Sequence, residues 1–161
     1  MKNLLQKQSV IKVKNYLNSV NNKIELIVLE ETARTALDAS NSLKKNVGSI
    51  VKSLLFRNND KNKFYLCLIS GDNYISLKKL TNIIGEIIVK ADAKECKEIT
   101  GFSIGGVSPF AHKSPPSKIL IDKNLKRFDT VYAAAGHPFV VFGISFNQLC
   151  TLTKGNVTDI V

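Results

Sequence analysis

The sequence is poor in the residues that most often mark metal, disulfide and base-stacking sites. It has no Trp, two His and three Cys among 161 residues. Cys67, Cys96 and Cys150 are odd in number and widely spaced, without the C-x-x-C or Cys/His spacing of a zinc site. We therefore predict structural thiols, no metal and no cofactor. The absence of Trp and of an RNP-like aromatic pattern argues against RNA recognition by base stacking.

Acidic residues are also scarce. Thirteen Asp and Glu stand against 23 Lys and Arg, so the formal net charge is +10. A basic surface attracts polyanions, although lysines spread along a chain are equally consistent with solvated faces. No apolar run is long enough to span a bilayer, and the residues after Met1–Gln6 are polar, unlike a secretory leader. The predicted compartment is the cytoplasm.

The order of apolar segments predicts one domain over residues 1–161, because the chain is long enough for a sizeable core. Helices are predicted over 10–20, 36–43, 76–84, 92–99 and 146–154, with Thr35 and Ser145 as N-caps and Gly85 and Gly155 as stops. Strands are predicted over 24–29, 49–56, 64–69, 119–121, 130–134, 139–142 and 157–161. This order predicts an α/β (α+β) domain with a mixed, curled sheet.

The glycine-rich segment Gly101–Pro109 is the first candidate for chemistry. Glycines at 101, 105 and 106 let the backbone approach a ligand closely, and Pro109 fixes the exit of the loop. Consecutive amides at Gly105 and Gly106 could bind an oxygen that becomes negative, a contact worth about 3–4 kcal/mol per donor. The spacing matches neither G-x-G-x-x-G nor a P-loop. An ordinary tight turn is the alternative interpretation.

Lys52 is the second candidate, since it interrupts an apolar strand. Alternation places it on one face with Ile50 and Leu54, both apolar. Within a cleft, its ammonium group could anchor a phosphate or a carbonyl group. The alternative is a lysine that protects an edge strand from aggregation.

Two further constellations are interpreted as structural. Ser108, His112 and Asp122 do not form a triad, because the G-x-S-x-G elbow is missing and Pro109 lacks the amide that usually completes an oxyanion hole. Cys150 could pair with His137, but it lies in the apolar register of a helix. His137 is therefore predicted to be a turn residue that can contribute to a pocket wall.

Five blocks, in the same order along the chain, resemble the YbaK/prolyl-tRNA-synthetase-associated domain family of trans-editing aminoacyl-tRNA deacylases. The similarity spans Val10 to Ile160, and its blocks are Arg34–Ala39, Ser49–Arg57, Gly101–Phe110, Ile119–Leu125 and Ala134–Pro138, the last continuing to 147–149. The resemblance implies a closed or nearly closed mixed β-barrel surrounded by helices. It also implies hydrolysis of the ester that joins a wrong amino acid to the terminal adenosine of a tRNA.

The site residues follow from the same resemblance. Catalysis is assigned to Lys52, Gly105 and Gly106, and substrate binding to Thr35, Gly101, Ser108, Pro109, Gly136 and His137. The implied partners are the aminoacylated 3′ end of a tRNA and an aminoacyl-tRNA synthetase, with no membrane and no metal.

One departure from the family narrows the implied substrate. Val141 stands where the cysteinyl-tRNA-specific branch carries Asp, so a small amino acid such as alanine, on tRNA-Pro or a similar tRNA, is the implied substrate. A non-catalytic tRNA-binding adaptor of the same fold is the alternative. A hydrolase of other small acyl esters is a third.

Overall fold

The computed structural model describes residues 3–21, 23–31 and 33–161. The helices within these ranges are α1 (Gln8–Val20), α2 (Ala36–Leu43), α3 (Leu77–Ile84), α4 (Ala93–Thr100) and α5 (Phe146–Thr153). The strands are β1 (Leu26–Val28), β2 (Val51–Asn58), β3 (Phe64–Ser70), β4 (Ile88–Lys90), β5 (Lys118–Asp122), β6 (Thr130–His137), β7 (Val140–Ser145) and β8 (Asn156–Thr158).

The strands form two sheets. The larger has the order β4-β2-β3-β5-β8, in which the β2–β3 hairpin is antiparallel and β5 and β8 are added in parallel. The smaller has the order β1-β7-β6 and is antiparallel throughout. The prediction of a mixed α/β (α+β) fold is therefore confirmed.

The expected closure into a barrel is wrong for the part of the chain described here, because no sheet in it closes on itself. The two sheets meet at one isolated parallel bridge, between Ile50 before β2 and Tyr132 in β6. Farther along, the same edge of β2 pairs instead with β4, from Phe56 to Asn58. The edge of β2 therefore separates from β6 after this bridge, and the barrel stays open there.

Side-chain alternation gives each sheet an inner and an outer face. The main core lies between the inner faces and includes the helix residues Val10, Val13 and Leu17, each at most 1% exposed. Helix α3 covers the outer face of the larger sheet through Leu80, and α2 covers the outer face of the smaller sheet through Ala39. The outer faces also border the candidate site.

Most of the predicted element ends agree with the structure. The Thr35–Asp38 capping box before α2 and the left-handed Gly85 after α3 are both confirmed. Gly155 was wrongly expected to end α5, which stops instead at Lys154 with φ 54°. Strand β4 was not expected. No helix in the described residues has the length and apolar character needed to cross a bilayer.

Candidate functional site

A cavity of about 340 Å³ opens where the outer faces of the two sheets meet. Its walls come from the segment before α2, from β2, from the glycine-rich loop and from the β6–β7 hairpin. The lining residues are Ala33, Arg34, Thr35, Ala36, Ala39, Ile50, Val51, Lys52, Ser53, Leu54, Ile104, Gly105, Val107, Tyr132, Ala134, Pro138 and Val141. Most of these side chains are apolar and small, so the few polar groups determine what can bind.

Lys52 supplies the ammonium group of the cavity, whose lining also includes Arg34. It is half-buried, its Nζ donates a hydrogen bond to the main-chain oxygen of Asn73, and it lies 4.5 Å from the centroid of the Tyr74 ring. Burial lowers the pKa of Lys52, and the nearby carboxylates of Asp72 and Asp122 oppose that shift. A partly desolvated ammonium group interacts more strongly with an anionic ligand than one in bulk water.

Asp122 holds the turn that positions the Lys52 ammonium group. Its carboxylate is fully buried and accepts hydrogen bonds from Ser70 N–H and from Asn73 Nδ2, each at 3.0 Å. It also accepts one from Asn124 N–H at 2.9 Å. Because Asn73 in turn accepts from Lys52, the buried carboxylate fixes the acceptor rather than contacting the cavity.

Thr35 is the N-cap of α2 and lines the cavity. Its Oγ1 accepts from Asp38 N–H at 3.1 Å, and the Asp38 carboxylate accepts from Thr35 N–H at 3.2 Å. This capping box fixes the start of the helix. It thereby sets the positions of Ala36 and Ala39 on the lining face.

The glycine-rich loop makes a tight turn from Ser103 to Gly106. Gly105 has φ +88°, lines the cavity, and donates its N–H to no acceptor in the described chain. Gly106 N–H donates to Ser103 O at 2.9 Å. The expected pair of free amides is therefore wrong for Gly106, because closing the turn consumes its hydrogen.

Close backbone packing explains the second glycine. A Cβ at Gly106 would lie 2.9 Å from both the Cα and the N of His137, closer than real Cβ contacts. Gly106 thus lets the loop rest on the β6–β7 hairpin, and Gly105 is left facing the cavity.

The other predicted loop residues lie outside the cavity lining. Gly101 ends α4 with φ +82°, and Pro109 is buried behind the loop. Ser108 is fully buried, and its Oγ accepts from Phe110 N–H at 3.3 Å. Their predicted contacts with substrate stay predictions.

Gly136 and His137 are likewise not on the cavity wall, although the next residue, Pro138, is. Gly136 has φ +87° and packs against the start of α1. His137 is the last residue of β6 and pairs with Val140, so it lies directly before the turn rather than in it as predicted; its Nδ1 accepts from Phe139 N–H at 3.0 Å. Burial, together with the charge of Lys7, lowers the pKa of His137.

No triad forms from Ser108, His112 and Asp122. His112 Nε2–H donates to the main-chain oxygen of Ser108 at 2.7 Å rather than engaging its hydroxyl, and Asp122 is committed to the Ser70–Asn73 turn. The thiol of Cys67 is fully buried, and burial raises its pKa to about 12. These groups are structural.

Sequence reasoning missed three polar lining residues. Arg34 and Ser53 are next to Thr35 and Lys52 in the blocks already singled out, so adjacency was the available signal. The Arg34 guanidinium lies 5.7 Å from the centroid of the Phe139 ring. Tyr132 gave no signal, because only the bridge to Ile50 brings it to the cavity.

The Lys52 ammonium group and the Gly105 N–H, which has no acceptor in the described chain, both lie at the wall of this small apolar chamber. Both groups stabilise negative charge, and no nucleophilic side chain with a neighbouring base was found among the lining residues of the described chain. Such a site suits an acyl group whose carbonyl oxygen gains charge when water attacks it.

Comparison with known proteins gives consistent matches. Residues 30–152 match the aminoacyl-tRNA editing domain family. The uncharacterized protein YwhH of Bacillus subtilis (strain 168) is 30% identical over 128 residues, 80% of each chain. A proline–tRNA ligase of Lactobacillus acidophilus is 32% identical over 115 residues, which are 66% of this chain and 20% of the ligase.

A solved structure extends the match to the fold. The crystal structure of a candidate trans-editing enzyme for prolyl-tRNA synthetase superposes with a TM-score of 0.89 at 34% identity, covering 96% of this chain and 97% of that one. Nearly the whole chain is thus matched by a single structure.

Proposed function

This chain belongs to the aminoacyl-tRNA editing domain family, and on that premise we propose that it is a trans-acting deacylase of mischarged tRNA. The proposed substrate is a small amino acid esterified to tRNA-Pro or a similar tRNA. Its similarity to part of a proline–tRNA ligase supports action beside prolyl-tRNA synthetase. Charged tRNA is used in the cytoplasm, where we expect the activity.

One observation carries the proposal: Lys52 and Gly105 line the same cavity. They come from segments more than 50 residues apart, and each offers the kind of group that an acyl-transfer site requires. A lysine that only protected a strand edge would be expected in open solvent. Lys52 is instead half-buried, with its Nζ hydrogen-bonded to the backbone.

The proposed reaction is direct hydrolysis. Water adds to the ester carbonyl carbon, and the carbonyl oxygen gains negative charge and accepts a hydrogen bond from Gly105 N–H. The bond to the ribose oxygen then breaks. The products are a free amino acid and a tRNA with its terminal hydroxyl restored. The neighbouring ribose hydroxyl assists the water, and Lys52 holds the terminal phosphate or the acyl group in position for attack.

The cavity wall supports selection by size. Ala36, Ala39, Ala134 and Val141 present methyl and branched alkyl surface with no carboxylate among them. A chamber of about 340 Å³ is at the lower end for ligand pockets, which run from about 300 to 1,000 Å³. A large side chain is therefore excluded more readily than alanine. The net charge of +10 would draw the tRNA to the protein.

The test is hydrolysis of a panel of misacylated tRNAs by the purified protein. We expect turnover of at least one small-residue ester, and a loss of at least about 100-fold in Lys52→Ala, because both positioning and charge are removed. Lys90→Ala is the matched control, an exposed lysine at the end of β4, and should stay within about twofold.

The outcomes separate the alternatives. Binding of tRNA without turnover would identify a non-catalytic adaptor. Equal turnover of free small esters, without dependence on tRNA, would identify a general esterase. Undiminished activity in Lys52→Ala would remove the assigned role of the ammonium group.

A further inference from the structure

Part of one edge of β2 is not paired with another strand, and this part borders the cavity. On its other edge β2 pairs with β3 from Val51 to Arg57. On the cavity edge it meets β6 only through the bridge at Ile50, and β4 only from Phe56 onward. The intervening residues 52–54 all line the cavity.

The direction of the main-chain groups can be read from neighbouring hydrogen bonds. Successive residues of a strand direct their N–H and C=O to opposite edges. Leu55 O accepts from Ala91 N–H at 3.0 Å, just beyond β4, whereas Asn58 N–H donates to Lys63 O on the β3 side. The main-chain N–H and C=O groups of the odd-numbered residues of β2 therefore point toward the edge that pairs with β4. Ser53 N–H and C=O point into the gap, where no strand of the described chain pairs with them.

The Ser53 side chain is unpaired as well. Its Oγ is buried and has no hydrogen-bond partner in the described residues, although the residue as a whole is partly exposed. The accessible surface of Ser53 must therefore lie on its main chain and Cβ. Buried polar groups in folded proteins are nearly always paired. The unpaired Oγ, together with main-chain groups that face no paired strand, indicates a missing hydrogen-bonding partner.

We propose that Ser53 binds the aminoacyl group of the substrate as a one-residue β-strand partner. In a hydrogen-bonded antiparallel pair, one residue exchanges both its N–H and its C=O with the residue opposite. The α-ammonium group of the aminoacyl ester would donate to Ser53 O, and the ester carbonyl would accept Ser53 N–H. This mode of recognition is the shortest form of strand addition to a free sheet edge.

The inference rests on the proposed function and adds two features to it. Ser53 N–H becomes the second donor to the carbonyl oxygen, beside Gly105 N–H, in place of the amide that Gly106 uses to close its turn. Ser53 O makes the site selective for esters that carry an α-amino group. Because all amino acids share that group, the contact distinguishes aminoacyl-tRNA from other acyl esters and leaves side-chain selection to the alkyl wall.

The decisive experiment needs no variant. Wild-type protein is given alanyl-tRNA and the matched α-hydroxyacyl ester, lactyl-tRNA, and each rate is divided by the spontaneous hydrolysis rate of the same ester. We expect the aminoacyl ester to be favoured about 10- to 100-fold, the loss typical of a hydrogen bond from a charged donor. Equal normalised rates would overturn the inference while leaving the deacylase function intact. If neither ester turns over, the proposed function fails and this inference with it.

A variant tests the donor. Ser53→Pro removes the N–H at a strand position where it pairs with nothing, and Lys52 before it is already extended, as proline requires. We expect kcat/KM for alanyl-tRNA to fall at least tenfold with the urea midpoint retained. Ser53→Ala, which keeps both main-chain groups, should retain more activity than Ser53→Pro. The reverse order would refute the main-chain assignment. Should the proline variant not fold, the ester comparison alone decides.

Discussion

Gly136 offers a quantitative test of how α1 is seated on the hairpin that borders the cavity. A Cβ added at Gly136 would lie 2.3 Å from Ser9 O and 2.6 Å from Ser9 C, at the start of α1. Ordinary contact begins near 3.4 Å, so helix and hairpin would have to separate by about 1.1 Å (3.4 − 2.3). Gly136 also has φ +87°, which strains any residue with a side chain.

The chain supplies a control that separates the two effects. Gly85 has nearly the same φ, +84°, and a Cβ there would have no atom within 4 Å. Gly85→Ala thus measures the dihedral penalty alone, about 1–2 kcal/mol, partly offset by about 0.4–1 kcal/mol from the less flexible unfolded chain. Gly136→Ala adds the cost of overpacking, about 1–3 kcal/mol. We expect net losses of about 1 kcal/mol for Gly85→Ala and about 2–4 kcal/mol for Gly136→Ala.

Urea titration of both variants, followed by circular dichroism, gives the two free energies of unfolding. The m-values should match that of the wild type, so that the change in midpoint reports stability. Losses that agree within about 0.5 kcal/mol would refute the steric argument. Gly136 would then have no role in seating α1, and the predicted contact with substrate would be its remaining explanation.

Two other perturbations test the surroundings of Lys52. Burial lowers its pKa, so NMR titration of its side-chain carbon signals should show the ammonium group losing its proton below the ordinary pKa of about 10.4; a midpoint at or above that value would contradict the burial argument. Asp122→Ala leaves three hydrogen-bond donors without their acceptor and should cost at least about 3 kcal/mol in urea titration. Asp60→Ala, at an exposed turn, should change stability by less than about 0.5 kcal/mol, and equal losses would refute the role of the buried carboxylate.

Features set by neighbouring residues were predictable from the sequence. The capping box of Thr35 and Asp38 needs only a spacing of three, and the end of α3 needs a residue that tolerates positive φ at Gly85. The β2–β3 hairpin follows from two apolar runs joined by a polar turn. The faces of β2 were predictable too, because alternation alone places Lys52 with Leu54 on one side.

Features set by distant contacts were not predictable. Strand β4 has three residues and exists because it pairs with the end of β2. Tyr132 reaches the cavity through its bridge to Ile50, 82 positions away in the sequence (132 − 50). The family resemblance suggested closure, but closure depends on how far the edge of β2 follows β6. That distance depends on the packing of both sheets, which no local pattern records.

The two adjacent glycines show why a motif does not by itself assign chemistry. On the sequence alone, the N–H of either glycine could bind a ligand. In the structure, the turn that presents Gly105 is closed by the hydrogen bond from Gly106 N–H to Ser103 O. In the proposed reaction, a second donor to the carbonyl oxygen would therefore come from another segment. Within residues 52–54, the stretch of β2 that lines the cavity without a paired strand on that edge, Ser53 is the one whose main-chain groups face the gap left by the open barrel. The open barrel and the proposed recognition of the aminoacyl group thus have one structural origin. If the edge of β2 were fully paired with β6 or β4, the main-chain N–H and C=O of Ser53 would be used in the sheet and could not bind a substrate.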